Sequence, residues 1–238
     1  MTPDEYLQNF DAEHEVFIAA CEAAGLDAEV PSCPGWKVSD LAYHMYEVQY
    51  GWHRLTAERL ESFASIKFPV RPDDDHLVSV LRGEHAAFAA LLAAFDPESP
   101  LWTWAGPQNL GWLQRRMAHE IAVHRVDAQF AGGPATPIQA DLASDGVDEF
   151  LEFFLNDRMG PVAGSVHLHC TDVSGEWLVS DTSGRFEVIR EHAKGDCAIR
   201  GTASDLLLAL WRRRPVTACE LIGDEELAMR FTIASALD

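Results

Sequence analysis

The chain has 238 residues, 47% hydrophobic and 24% charged, proportions of a globular protein long enough for one large domain or two small ones. Its 38 acidic side chains against 18 basic ones give a net charge of −20, which argues against nucleic-acid and anionic-membrane partners and leaves any anionic substrate dependent on local arginines or a metal. Five cysteines, an odd number with no C-x-x-C pair, exclude a disulfide framework. With no signal-peptide layout at the start and no apolar run of about 20 residues, the expected place is the cytoplasm.

Four segments in the first 131 residues carry the period of amphipathic helices. The first aligns Leu7, Phe10, His14, Phe17, Ile18 and Cys21 and stops at Gly25. A turn, Pro31-Ser32-Cys33-Pro34-Gly35-Trp36, precedes the second, which aligns Leu41, His44, Met45, Val48, Trp52 and Leu55. Cys33 reads there as a small residue filling a tight turn rather than as a reactive thiol. The third runs from about Pro72, with Leu77, Val80, Leu81, Phe88, Leu91, Leu92 and Phe95 together, and Pro97 ends it. The fourth opens near Asn109, stacks Leu113, Met117, Glu120, Ile121, His124 and Ala128, and stops at Gly132-Gly133-Pro134. Four such helices bury one shared core, so the expectation is a four-helix bundle over residues 1–132.

Gly132 to Gln139 reads as a linker, and the texture beyond it changes. Asp141–Asn156 looks helical; short alternating runs follow at Ser165–Cys170, Glu176–Val179 and Arg185–Ile189, separated by Ser174-Gly175 and Ser183-Gly184. Thr202 and Asp205 make a capping pattern ahead of Leu206–Trp211, and a last helix follows Gly223-Asp224. Residues 140–238 therefore form a smaller α+β domain, and the whole chain is α+β.

Glu120 sits in the middle of an apolar stripe, where an unpartnered carboxylate costs several kcal/mol. His124 lies four residues on, on the same face, and His44 holds the equivalent place on the second helix. Three metal-competent side chains aimed into one bundle core suit a divalent ion, against the rival of a buried Glu120–His124 ion pair. His14 reads as structural before it reads as a fourth ligand, and His119 points about 100° away. His53, His76 and His85 read as surface or boundary residues. His167 and His169 share one face of a strand, but with no third partner in view that face reads as solvated.

At these residues the sequence resembles the mycothiol-dependent maleylpyruvate isomerase family. Val30–Trp36 with Asp40, Leu41 and His44 is similar to the start of the family's second helix, and Trp112–Ala128 to its fourth. Trp102–Pro107 resembles the loop before that helix; Gly201–Leu206 and Val216–Asp224 extend the likeness more weakly. Lys37 departs from the pattern, standing where a small hydroxyl residue is expected to cap the helix. The resemblance implies a DinB-like bundle with the metal ligands His44, Glu120 and His124, zinc as the ion, and a sterol-carrier-protein-like second domain.

It also implies a mycothiol-dependent isomerase or S-transferase. The sugar-linked thiol is the partner at the metal, and a small electrophilic or carboxylate-bearing molecule is the substrate. Glu120 is then catalytic as well as a ligand. Arg125 is the second catalytic candidate, meeting a substrate carboxylate, with Arg54 and Arg212-Arg213-Arg214 behind it. Two other classes stay open: a hydrolase acting through metal-activated water, and a noncatalytic binder whose metal is structural.

Overall fold

Short polar side chains set the starts of the long helices. In a computed structural model, which describes residues 1–234 (for Asp157 and Arg158 the backbone alone), Thr2 accepts from the Glu5 N–H while Glu5 accepts from that of Thr2. This capping box opens α1, Pro3–Ala24. Asn109 caps α4, Leu110–Gly132, by accepting from the Trp112 N–H. At α2, Val38–Glu58, the unexpected Lys37 leaves the capping to Asp40, whose carboxylate accepts from the Lys37 N–H at 2.9 Å. The lysine ammonium instead reaches Asp27 at 2.8 Å. Between them lies α3, Asp74–Ala94.

The apolar stripes face one another as periodicity requires. Phe10, Phe17, Ile18 and Cys21 of α1, Leu41, Met45 and Leu55 of α2, Leu77, Leu81, Phe88 and Leu92 of α3, and Leu113 and Ile121 of α4 are all fully buried. Each such side chain contributes about 1.5–3 kcal/mol relative to exposure. α1 lies mainly on α4, and α2 on α3. Phe95 misses the expected stripe because α3 ends at Ala94, leaving its ring 44% exposed. Contrary to the sequence expectation, α3 is long and apolar enough by composition to cross a membrane, alone among the described residues. Leu77, Leu81, Phe88 and Leu92 of this helix, however, are packed into the bundle core.

The chain divides into two compact units, Met1–Thr136 and Pro137–Asp238. In the second, α5, Ala140–Glu149, runs through a π-turn at Phe150–Phe154 into α6, Leu155–Arg158. Strands β1 (Ser165–Cys170), β2 (Glu176–Asp181) and β3 (Phe186–Ile189) form an antiparallel meander. β4, Cys197–Gly201, pairs parallel to β1, and β5, Glu220–Gly223, pairs antiparallel to β4, giving the order β3-β2-β1-β4-β5. α7, Ala203–Leu210, and α8, Glu225–Ile233, start at Thr202 and Asp224, whose side chains accept from Asp205 and Leu227. One face of the sheet is apolar and buried through Val166, Leu168, Val179, Phe186, Cys197 and Ile199. Period-two alternation puts His167, His169, Glu176, Leu178, Ile189 and Arg200 on the other.

Candidate metal centre

The three residues selected by the stripes meet. His44 Nε2 and His124 Nε2 each lie 3.4 Å from the same oxygen, Oε1 of Glu120. The two rings stand edge to face at 4.9 Å, and all three donor atoms fall within 4.8 Å of one another. A tetrahedral zinc with bonds of about 2.0–2.1 Å separates its ligand atoms by roughly 3.4 Å. Two imidazole nitrogens and a carboxylate oxygen at that spacing suit such an ion. Side-chain exposure rises from 11% at His124 through 21% at Glu120 to 32% at His44, so the cluster opens to solvent on its α2 side. The ring of Trp36, 5.2 Å from that of His44, flanks the opening.

Two buried partners that the sequence reading did not single out hold the cluster in place. Asp127, fully buried one turn past His124, binds His124 Nδ1 at 2.9 Å. That contact fixes the ring so that Nε2 faces Glu120, the carboxylate–histidine pairing that accompanies metal-ligating imidazoles. The other Asp127 oxygen accepts from the Ser32 hydroxyl at 2.6 Å, and the Cys33 sulfur lies 3.6 Å from Oδ2. The turn before α2 is thereby tied to α4. Arg116, buried one turn before Glu120, donates to Glu120 Oε2 at 2.6 Å and leaves Oε1 to the imidazoles. Both partners had a signal in the sequence, namely helical spacing of −4 and +3 from two proposed ligands.

These contacts set the charge states. Burial acts to raise the Glu120 pKa, but the Arg116 charge and hydrogen bonds from His124 and His44 outweigh it and hold the carboxyl well below its ordinary range. Burial acts to lower His124, yet bonds to Asp127 and Glu120 prevail and raise it to about 9. Without a cation the cluster is therefore a proton-bridged ion pair at neutral pH, which a divalent ion would replace.

Other expected residues lie elsewhere. Arg125 is buried, and its guanidinium is committed to Glu13 at 2.6 Å, to the Gln129 side chain at 2.9 Å and to the Thr136 carbonyl at 2.7 Å. A substrate carboxylate would have to displace Glu13, because helix rotation turns this arginine toward α1. Arg54 pairs with Glu58 on its own helix, and Arg214 with Asp205 at 3.1 Å. Arg213 donates to the Trp211 carbonyl at 2.8 Å, and Arg212 holds a left-handed backbone (φ 57°) just past α7. His14 does not join the cluster: its ring stacks on that of His85 at 3.7 Å, and neither nitrogen has a hydrogen-bond partner among the described residues. Burial, then the charges of His85 and Arg82, push its pKa down to about 3. His85, expected near the surface, is 7% exposed and bridges Gln49 and Asp11. A cavity of about 470 Å³ lies between the end of α2 and the loop before α4, lined by Thr56, Leu60, Leu101 and Trp102 among others; none of the three cluster residues lines it.

In the second unit, His167 and His169 do have partners. Glu176, directly across from His169 in the β1–β2 ladder, and His192, past the end of β3, stand beside them. His167 is 6% exposed, so the expectation of a solvated face fails at this residue, while His169, Glu176 and Arg200 on the same face are half-buried and Ile189 is exposed.

Two family models match the chain, the mycothiol maleylpyruvate isomerase N-terminal domain over residues 7–129 and the MDMPI C-terminal domain over residues 141–230. Among solved structures, the chain is similar to the crystal structure of the mycothiol-dependent maleylpyruvate isomerase, at 12% identity with 88% of each chain covered and a TM-score of 0.65. A histidine-to-alanine mutant of that enzyme gives 12% identity, 88% of each chain and a TM-score of 0.62. At such identity the likeness is one of fold. No curated protein matches.

Proposed function

Because this chain belongs to the mycothiol maleylpyruvate isomerase family, we propose that it is a metal- and mycothiol-dependent enzyme acting on a small activated alkene, as isomerase or S-transferase. The observation that carries this reading is the pair of 3.4 Å contacts from His44 and His124 to a single Glu120 oxygen, beside an opening to solvent. Those three residues would hold the ion, zinc in this proposal, and a set of three protein donors is the kind that leaves zinc open to a ligand from outside. Bound there, the ion supplies a site at which a thiol loses its proton near neutral pH. The chemistry so supplied would be reversible addition of the thiolate to an activated double bond, which would let that bond rotate as a single bond before the thiolate left and the double bond re-formed.

The chain's own residues prepare that position. Asp127 keeps the His124 proton on Nδ1 and frees the Nε2 lone pair. Arg116 fixes Glu120 through Oε2, so the carboxylate meets a cation through Oε1. Glu120 is thus the central ligand, and Arg125, tied to Glu13, acts in this reading by positioning α4 against α1. The N-terminal unit is the metal-binding, DinB-like module and residues 140–238 the sterol-carrier-like one. The five cysteines are all free thiols, which supports a reducing, cytoplasmic setting.

The test is turnover of maleylpyruvate by zinc-loaded protein with and without mycothiol. Activity is expected only with the thiol, and is expected to vanish in Glu120→Ala while surviving Cys33→Ser. Cobalt-substituted protein should gain a sulfur charge-transfer band when mycothiol is added. Full turnover without thiol would overturn the thiol mechanism in favour of a metal-dependent hydrolase.

A further inference from the structure

The second unit carries a histidine cluster that the proposed function does not use. β1 places His167 and His169 on the sheet face opposite Val166 and Leu168, and the ladder sets Glu176 of β2 across from His169. The chain leaves β3 at Ile189 and brings His192 back over the same face. Glu176 Oε2 lies 2.7 Å from His192 Nδ1 and 3.5 Å from His167 Nε2, while Oε1 lies 3.0 Å from His169 Nδ1. One donor atom from each of the four residues falls within 4.8 Å of all the others.

The ring geometry fits a shared ion. The three rings are mutually near-perpendicular, at 85°, 87° and 84°, with centroids 5.8, 5.1 and 6.4 Å apart. Three imidazoles around one tetrahedral ion point inward, with ring centres about 5.3 Å apart given metal–nitrogen bonds near 2.1 Å. The observed spacings need about 1 Å of closure at most. His167 is the anchor: its side chain is 8% exposed and its Nε2, buried and aimed into the cluster, makes no hydrogen bond among the described residues. A buried nitrogen of this kind is costly to leave unsatisfied.

We infer that His167, His169, Glu176 and His192 form a second metal site, for a borderline divalent ion such as Zn²⁺, Ni²⁺ or Cu²⁺. Three imidazoles and one carboxylate without a thiolate select that class over Mg²⁺ and Ca²⁺. Four protein donors complete a tetrahedron and leave no position for substrate, so the ion is structural. Its effect is to pin the segment after β3, where His192 is 77% exposed, onto β1 and β2. The site shares no residue with His44, Glu120 and His124 and stands whether or not that cluster binds metal.

The full-length protein, stripped with chelator, reloaded with Zn²⁺ and freed of excess by dialysis, gives the test by metal counting. Wild type should hold two equivalents, and His124→Ala should hold one. His192→Ala alters an exposed side chain outside the strands, so the fold survives it; the variant should keep one equivalent and lose the second site's affinity by more than about tenfold. In the His124→Ala background, added Zn²⁺ should still raise the unfolding temperature, and should do so no longer once His192→Ala is added. If His124→Ala protein holds no zinc at micromolar free metal, or if His192→Ala leaves zinc content and affinity at wild-type values, the second site does not exist and Glu176 merely accepts hydrogen bonds from the histidines.

Discussion

In the helical unit, Glu120 gives one carboxylate oxygen to Arg116 and faces two imidazoles with the other. In the sheet unit, Glu176 is paired with histidines alone among the described residues, and both its oxygens are engaged by them. The first cluster has three donors with buried outer partners; the second has four donors and no such partners among the described residues. On the two proposals made above, the difference is one of purpose. A position that must bind and release a small molecule needs a vacancy and ligands that cannot shift to fill it. A position that only ties chain segments together needs every donor and tolerates adjustment. Helices supply the first because neighbouring turns project supporting side chains, Arg116 at −4 from Glu120 and Asp127 at +3 from His124. A strand supplies the second because alternate residues share a face but have little behind them.

Three measurements sharpen or break this contrast. The largest effect is expected from Asp127→Asn, which weakens the brace on His124 without removing a ligand. Zinc affinity at the first site, read by competition with a chromophoric chelator, should fall about 10–100-fold, with the second site unchanged. Wild-type affinity in this variant would mean that the first cluster is no more preorganised than the second.

Next comes proton competition. The His124 pKa of about 9 stands above its ordinary 6.5. In metal-free protein its stabilising contribution is therefore complete below pH 6.5 and lost as pH rises through about 9. A cation at Nε2 must displace that proton, so zinc affinity at the first site should climb about tenfold per pH unit toward pH 9. A flat profile between pH 7 and 9 would show that the carboxylates do not hold the imidazolium as the geometry requires.

The smallest effect concerns a buried imidazole with no carboxylate of its own. The His14 pKa of about 3 lies below 6.5, so its neutral form contributes stability that is whole above pH 6.5 and lost as pH falls toward 3. Between pH 6.5 and 4.5 that loss is about 2–3 kcal/mol. Urea unfolding of His14→Phe against wild type should show a shallower decline over the same range. Equal slopes would assign the acid sensitivity to other groups.

Sequence alone reached His44, Glu120 and His124 because all three sit on strong helical stripes, where a polar side chain stands out against Leu113, Met117 and Ile121. Arg116 and Asp127 were equally readable by spacing but sit on a helix buried almost all round, so no contrast marked them. His192 was not readable: no period links a residue past β3 to His167 on β1, and only the order of the strands brings them together. β4 and β5 escaped for a related reason, since Cys197–Gly201 and Glu220–Gly223 are short, end in glycine and gain their hydrogen bonds from distant partners. The role expected for Arg125 rested on charge alone, and Glu13, 112 residues away in sequence, is what claims it.

Asp127 has a consequence beyond orientation. One carboxylate serves the His124 imidazole, the Ser32 hydroxyl and the Cys33 sulfur, so the turn ahead of α2 and the cation position on α4 draw on a single shared acceptor. Exchange of a proton for a metal at His124 changes what that acceptor offers the turn. Coupling between two binding events is reciprocal: whatever the turn grips more firmly when the metal is present must, by the same factor, make the metal harder to remove. Through this one buried side chain, a metal bound at His124 as proposed would be felt at Ser32 and Cys33 in the turn before α2.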